Sequence, residues 1–223
     1  MRWQVFDIIG PIMVGPSSSH TSGAVRLGLM ANRLMGGVPD SAVIQLHGSY
    51  AEVYKGHGTD LALVAGLLGF EPDSEKVVHA FDEAKKQGLQ YSFELVDLGT
   101  NYHPNTVRFV LKKGSDTLEM TGSSIGAGSV EIVELFGIPT SYIDGKSETL
   151  ILMQQDRPGM VAWISSTIAA AQLNISQMSV ARSQKGEKAL TVINLDSPVP
   201  EAVLEGLRTV DGILWAKVLP ILK

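Results

Sequence analysis

The chain has 223 residues, of which 44% are hydrophobic and 18% charged, a composition typical of a folded protein. Its formal net charge of -5 argues against nucleic acid and anionic membrane surfaces as partners. It contains no cysteine, which excludes disulfides, a cysteine nucleophile and any zinc or iron–sulfur centre held by thiolates of this polypeptide.

The beginning of the chain carries no targeting signal. Residues 1–7 lack the charged, apolar and small-residue layout of a signal peptide. No apolar run is long enough to cross a bilayer. These features predict a cytoplasmic protein without a membrane partner.

A run of hydroxyl side chains marks the start of the first predicted helix. Gly15 and Pro16 break the preceding segment, and the following run to Met35 has a helix-forming composition. One hydroxyl is enough to cap a helix, and capping alone is the structural interpretation. A helix start also presents unpaired N–H groups to a carboxylate or phosphate, which is the functional interpretation. The candidate residues are Ser17, Ser18, Ser19, His20 and Thr21.

The second polar segment follows a predicted strand over residues 41–47 and is expected to be a loop. Its imidazole lies between Gly56 and Gly58, so the backbone there is free to adopt unusual angles or to approach a ligand. Thr59 or Asp60 is expected to cap the next helix. A surface histidine with a structural role is the alternative interpretation. The candidate residues are Lys55, His57 and Asp60.

A third polar turn lies among the later elements of this region. We predict a helix over residues 74–87 and strands over 91–98, 106–112, 116–121 and 130–135. Pro104 fixes a bend after the first of these strands, where His103 and Asn105 are further polar candidates. Residues 122–129 are small and are expected to be flexible. The region thus mixes about five strands with three helices, which predicts an α+β domain.

The C-terminal third has a more regular order of elements. We predict strands over residues 149–154, 175–183, 189–196 and 212–221, and helices from 160 to about 174 and over 200–208. Pro158 is expected in the first helical turn. The predicted buried stripe of the first helix is Met160, Val161, Ile164, Ile168 and Ala171. The order β-α-β-β-α-β is the ferredoxin-like layout, with residues 141–147 as the connector.

This C-terminal layout, with Asp156-Arg157-Pro158-Gly159 after its first strand and Asn174-Ile175 before its second, resembles an ACT domain. Many metabolic proteins sense amino acids with this module, and the ligand usually sits across a dimer interface. The resemblance implies self-association and an effector site, although some ACT domains only pair subunits. The implied effector contacts are Asp156, Gly159, Met160, Asn174 and Ile175.

Taken together, three motifs resemble the beta subunit of bacterial iron–sulfur-dependent L-serine dehydratase. They are residues 15–21, residues 55–60, and residues 103–105 with Arg108 and Phe109. The resemblance spans the chain and implies a serine dehydratase beta-chain domain over 1–147 and an ACT domain over 148–223. The first domain also resembles the allosteric substrate-binding domain of some phosphoglycerate dehydrogenases.

The same resemblance implies a reaction, a cofactor and a partner. The family deaminates L-serine to pyruvate and ammonia with a 4Fe–4S cluster held by a cysteine-bearing alpha subunit, so no metal is expected in this chain. The reaction needs a base for the Cα proton and groups that hold the carboxylate and amine. His57 is the candidate base, or orients it, and residues 17–21 would hold the carboxylate. The implied substrate contacts are Lys55, Asp60, His103 and Asn105.

Two alternatives from other functional classes stay open. One is a purely regulatory subunit whose serine-rich turn binds an effector without touching chemistry. The other is a small-molecule phosphate-binding enzyme, against which the absence of a P-loop and of a dinucleotide fingerprint argues. The need for a monovalent cation and the assembly stoichiometry are also left open.

Overall fold

The computed structural model describes residues 12–222, which divide into two compact units that meet in sequence between Phe136 and Gly137. Residues 1–7, on which the expectation of no signal peptide rests, lie outside the described residues. Within the described part of the chain, every helix is too short or too polar to cross a membrane.

The first unit is built on a mixed sheet. Its strands lie in the order β2-β1-β3-β4-β5, with β1 parallel to β2 and the other neighbours antiparallel. In register, Ile44 pairs with Phe109 and Phe109 with Met120, and all three side chains are fully buried. The strands are β1 (Ser41–His47), β2 (Gln90–Leu95), β3 (Thr106–Lys113), β4 (Asp116–Gly126) and β5 (Ser129–Leu135).

In the described part of this unit, four helices accompany the sheet: α1 (Gly23–Met35), α2 (Ser49–Val53), α3 (Thr59–Leu67) and α4 (Ala80–Gln87). A π-helical turn, Ser18–Ser22, leads into α1, and a 3₁₀ turn, Glu75–His79, leads into α4. α1 packs on β4 and on α3. A Cβ atom on Gly66 of α3 would lie 2.1 Å from the carbonyl oxygen of Val25, so the backbones of α1 and α3 are in direct contact.

The structure corrects several expectations in the first unit. The loop expected after β1 contains α2, and α3 is capped by Gly58 rather than by Thr59 or Asp60. Strand β2 ends at Leu95, short of the predicted residue 98. Residues 122–126, expected to be flexible, belong to β4. Small residues are needed there because a Cβ on Gly122 would lie 2.7 Å from the side chain of Leu27 in α1.

The second unit has the predicted ferredoxin-like order. After the short strand β6 (Ile138–Pro139), it contains β7 (Glu148–Gln155), α5 (Met160–Ala170), β8 (Ile175–Arg182), β9 (Lys188–Leu195), α6 (Glu201–Arg208) and β10 (Ile213–Leu219). The antiparallel sheet has the order β10-β7-β9-β8. Leucine and isoleucine side chains from β7, β9 and both helices form its core, including Leu152, Ile164, Ile193 and Leu207. The expected α+β class is confirmed.

The first helix of this unit differs in detail from its prediction. Gly159, with φ of 90°, caps α5, so Pro158 precedes the helix instead of lying in its first turn. The helix ends at Ala170, before the expected residue 174. Met160, Ile164 and Ile168 are buried at four-residue spacing, whereas Val161 points away from this stripe and is 42% exposed.

Candidate functional site

The serine-rich segment forms a tight turn at the start of α1. The Ser17 hydroxyl accepts a hydrogen bond from the backbone N–H of His20 at 3.1 Å, which makes Ser17 a helix cap. The backbone N–H groups of Thr21 and Ser22 both donate to the Ser17 carbonyl oxygen, at 2.9 and 3.3 Å. The hydroxyls of Ser17 and Ser19 are 3.5 Å apart. Capping thus uses one hydroxyl and leaves others for different contacts.

His20 has a hydroxyl at each ring nitrogen. Its Nδ1 lies 3.1 Å from Ser19 Oγ, and its Nε2 lies 3.1 Å from Ser49 Oγ. Burial lowers the pKa of His20 below its ordinary value, and the charge of His57 lowers it further. The structure therefore favours a neutral, hydrogen-bonded imidazole at this position.

His57 lies directly beside this imidazole. The ring centroids of His20 and His57 are 4.9 Å apart, with 35° between the ring planes. The Thr21 hydroxyl donates to the His57 carbonyl oxygen at 3.1 Å, which ties the two segments together. The His57 side chain is exposed, and its Nδ1 lies 3.4 Å from the Val53 carbonyl oxygen. Two of the three predicted motifs thus meet at one place, which we call the His20–His57 cluster.

The packing of α1 on α3 explains why these motifs meet. The helices run in the same direction, because Thr21 contacts His57 near their starts and the Asn32 side chain donates to the Leu67 carbonyl oxygen near their ends at 2.7 Å. Their N-terminal ends therefore lie side by side at the His20–His57 cluster. Helix starts carry partial positive charge, which favours an anionic group there.

Ser49 and Tyr50 belong to this cluster, although the sequence reasoning did not select them. The Tyr50 hydroxyl donates to the Ser19 carbonyl oxygen at 2.8 Å, and its ring edge packs on His20 with the centroids 5.4 Å apart. Tyr50 is fully buried, and burial raises its pKa. Helix α2 is only five residues long, too short for a readable apolar period. The available signal was a serine and a tyrosine directly after Gly48.

The remaining candidates of the first unit make local contacts. Lys55 lies over the ring of Tyr54, with its Nζ 5.6 Å from the ring centroid. The Asp60 carboxylate accepts from the N–H of Leu61 at 2.9 Å. The exposed His103 ring accepts from the N–H of Asn105 at 3.1 Å. No contact described for residues 12–222 joins the Lys55, Asp60, His103 or Asn105 side chains to the His20–His57 cluster. The Ser18 carbonyl oxygen accepts a hydrogen bond from the N–H of Gly23.

The candidate effector residues of the second unit lie around the loop before α5. The Asp156 carboxylate accepts from the N–H of Gly186 at 2.8 Å and from Arg182 at 3.3 Å, and these contacts lower its pKa. Met160 is buried, and its sulfur accepts from the Arg157 side chain at 3.4 Å. Asp156 thus holds the turn between β8 and β9.

Asn174 and Ile175 lie at the beginning of β8. The Asn174 amide donates to the Asp196 carboxylate at 2.6 Å, and Ile175 is half-buried against the core. Gly159 is the N-cap residue of α5, and no side chain caps this helix. The five effector candidates therefore lie at two places in the second unit, around the start of α5 and around the start of β8.

The side chains of residues 12–222 do not fit an iron–sulfur cluster or another resident metal. Thiolates, the usual ligands of such clusters, are missing from the whole sequence. Among residues 12–222, no group of three or more histidine, aspartate or glutamate side chains is arranged to hold a metal ion. The His20–His57 cluster is instead an arrangement of imidazoles and hydroxyls, which is suited to hydrogen bonding and proton transfer.

Comparisons with known proteins match the two units of the chain to two different families. The family model for the serine dehydratase beta chain matches residues 4–134, and the model for the ACT domain matches residues 148–212. A Bacillus subtilis protein named probable L-serine dehydratase, beta chain, is 38% identical over 94% of both chains. The L-serine dehydratase beta chain of Peptoniphilus asaccharolyticus is 37% identical over 96% of this chain and 97% of its own. A D-3-phosphoglycerate dehydrogenase from Synechocystis is 26% identical over 85% of this chain and 34% of its own.

Proposed function

The chain belongs to the serine dehydratase beta chain family and carries an ACT domain, and we propose that it contributes catalytic residues to the conversion of L-serine into pyruvate and ammonia. The observation that carries the proposal is the meeting of two distant motifs at the His20–His57 cluster, with 4.9 Å between the ring centroids. An exposed imidazole beside two helix starts suits a small amino acid with a carboxylate and a removable proton.

The proposal assigns the binding of the iron–sulfur cluster to a second chain. The relatives are named beta chains, and this chain has no cysteine. We therefore place a 4Fe–4S cluster on a cysteine-bearing alpha subunit. In this proposal the active site forms only when the two subunits are joined. On this proposal the isolated chain is inactive.

His57 is the proposed base. Its Nδ1 faces the Val53 carbonyl oxygen, so the neutral ring carries its proton on Nδ1 and leaves the lone pair on Nε2 free. Nε2 takes the proton from Cα of serine, and the hydroxide leaves Cβ with its electron pair. The resulting enamine converts to the imine, which water hydrolyses to pyruvate and ammonia.

The serine-rich turn is the proposed holder of the substrate carboxylate. Ser17, Ser18 and Ser19 offer hydroxyl donors at the start of α1. The Thr21 hydroxyl already donates to the His57 carbonyl oxygen, so Thr21 acts in the proposal by holding the turn in place. His20 lines the same place with its ring already hydrogen-bonded. The proposal keeps the remaining polar candidates of the first unit as substrate contacts within the complex; these are Lys55, Asp60, His103 and Asn105.

The test is pyruvate formation from L-serine without oxygen, by the full chain combined with a cysteine-bearing alpha subunit loaded with iron and sulfide. We expect activity only with both chains, and a loss of roughly a hundredfold or more in kcat for His57→Gln, because general base catalysis is removed. His79→Gln is the matched control, since His79 is exposed on the turn before α4. Full turnover by His57→Gln would refute the base assignment, and an alpha subunit fully active alone would make this chain a regulator.

We further propose that the ACT domain binds an amino acid effector. The loop before α5 and the start of β8 supply Asp156, Gly159, Met160, Asn174 and Ile175 as its contacts. Support comes from the exposure of Gly159 and Asn174, which leaves room for a ligand. L-serine is the proposed effector because it is also the proposed substrate.

A further inference from the structure

The hydrogen bonds around His20 leave neither ring nitrogen to the solvent. Ser19 Oγ lies at Nδ1 and Ser49 Oγ at Nε2, each at 3.1 Å. Ser19 precedes His20 directly in the chain, whereas Ser49 comes from α2, 29 residues away in sequence. The orientation of the imidazole therefore depends on where α2 is placed.

Tyr50 fixes the distance between α2 and the serine-rich turn. Its hydroxyl donates to the Ser19 carbonyl oxygen at 2.8 Å, and its backbone N–H donates to the Pro104 carbonyl oxygen at 3.4 Å. The preceding Gly48 has φ of 58°, and a Cβ there would lie 2.6 Å from the Pro104 carbonyl oxygen. The start of α2 is thus held against the Pro104 turn while the tyrosine side chain reaches the serine-rich turn.

We infer that Ser49 and Tyr50 are positioning residues, which hold the His20 imidazole beside His57 with a hydroxyl on each ring nitrogen. The titratable groups that face His20 are His57 and Tyr50. Tyr50 stays uncharged at neutral pH because it is fully buried. His20 stays neutral as well, and proton transfer is left to the exposed His57. The catalytic consequence rests on the proposed function, whereas the positioning itself does not.

The positioning is tested by NMR of the histidine rings in the full chain, which has five histidines. His20 signals are assigned by their loss in His20→Gln. In Ser49→Ala and Tyr50→Phe, we expect the ring shifts of His20 to change and its pKa to rise, because the imidazole gains access to water. Tyr54→Phe is the matched control, since Tyr54 packs on Phe93, with 5.9 Å between the ring centroids, and should leave His20 unchanged.

Unchanged His20 ring shifts and titration in both Ser49→Ala and Tyr50→Phe would overturn the inference. Should Tyr50→Phe fail to fold, Ser49→Ala decides alone, because Ser49 is only half-buried. In the complex with an alpha subunit, both variants are expected to lose roughly tenfold in kcat with little change in KM. A lower unfolding temperature with unchanged kcat would show a merely structural role. If His57→Gln keeps full turnover while the NMR changes occur, the positioning stands and the catalytic function fails.

Discussion

At the scale of single residues, the neighbours of an imidazole decide what it does. His20 and His57 are the same residue type, 4.9 Å apart. His20 is half-buried and bonded to two hydroxyls, whereas His57 is exposed between flexible glycines. Burial disfavours a charged ring and exposure permits it. The two rings are therefore unequal, and the proposed function assigns proton exchange with the substrate to His57.

Acidification is expected to destabilise the first unit through His20. Burial, and then the charge of His57, lower the pKa of folded His20 below the 6.5 of an unperturbed histidine. Below pH 6.5 the unfolded chain therefore binds this proton more readily than the folded chain. The contribution of the neutral His20 imidazole to the stability of the folded chain is complete above pH 6.5. It is lost as the pH falls through the lowered pKa of His20.

Urea unfolding followed by far-UV circular dichroism checks this expectation. Between neutral pH and the lowered pKa of His20, wild type should lose stability more steeply than His20→Gln, which cannot take up the proton. His103→Gln serves as the control because His103 is exposed. Equal pH dependence in wild type and His20→Gln would contradict the expectation.

At the scale of elements, the contact between α1 and α3 brings the two motifs together. Gly28 and Gly66 allow the helix backbones to touch, since Cβ atoms there would lie 2.4 and 2.1 Å from carbonyl oxygens of the facing helix. A wider separation of the helices would move the His20 turn away from the His57 loop. Gly28 and Gly66 have low helix propensity, but the site requires them because they allow the close contact of α1 and α3.

Gly66→Ala is expected to lower the free energy of unfolding by about 1–3 kcal/mol, because the new methyl group meets backbone that has no room to shift. Gly206→Ala in α6 is the matched control, since a Cβ there meets nothing within 4 Å. The control should gain about 0.5–1 kcal/mol from improved helix propensity. Urea unfolding measures both variants, and wild-type stability of Gly66→Ala would mean that the close contact is not required.

At the scale of the whole molecule, the chain divides into two compact units. The first holds the His20–His57 cluster, and the second has its own apolar core beneath two helices. The family models match separate stretches of sequence in the same way, residues 4–134 and residues 148–212. The proposed substrate chemistry and the proposed effector binding are therefore tested by signals that belong to one unit at a time.

Added L-serine is expected to shift the backbone NMR signals of the loop before α5 and of the start of β8 in the full chain. Asn174→Ala should weaken this response, because the amide side chain is a proposed ligand contact. Gln184→Ala is the control, since Gln184 is an exposed amide in the turn between β8 and β9. Sedimentation in the analytical ultracentrifuge measures the self-association of the full chain in the same samples. Association without any serine-dependent shift would show that the domain only pairs subunits.

Local patterns gave much of the fold. The order of elements in the second unit follows from short apolar runs, a four-residue helical stripe and glycine turns, all of which act over short stretches. Prediction failed at residues 122–126 and at α2. In the first case small residues were interpreted as flexibility, although they make room for Leu27 of α1. In the second, five helical residues are too few to show a period.

The sequence by itself determined the element order of the second unit, the absence of thiolate ligands, and the polar residue types near the starts of α1 and α3. Only the tertiary structure decided that His20 and His57 meet and that Ser49 and Tyr50 complete their surroundings. Those contacts join residues 29 to 36 positions apart. The contact of Thr21 with His57 depends on helix packing at Gly28 and Gly66. The contacts of Ser49 and Tyr50 depend on the placement of α2 against the Pro104 turn, and no local sequence pattern records either arrangement.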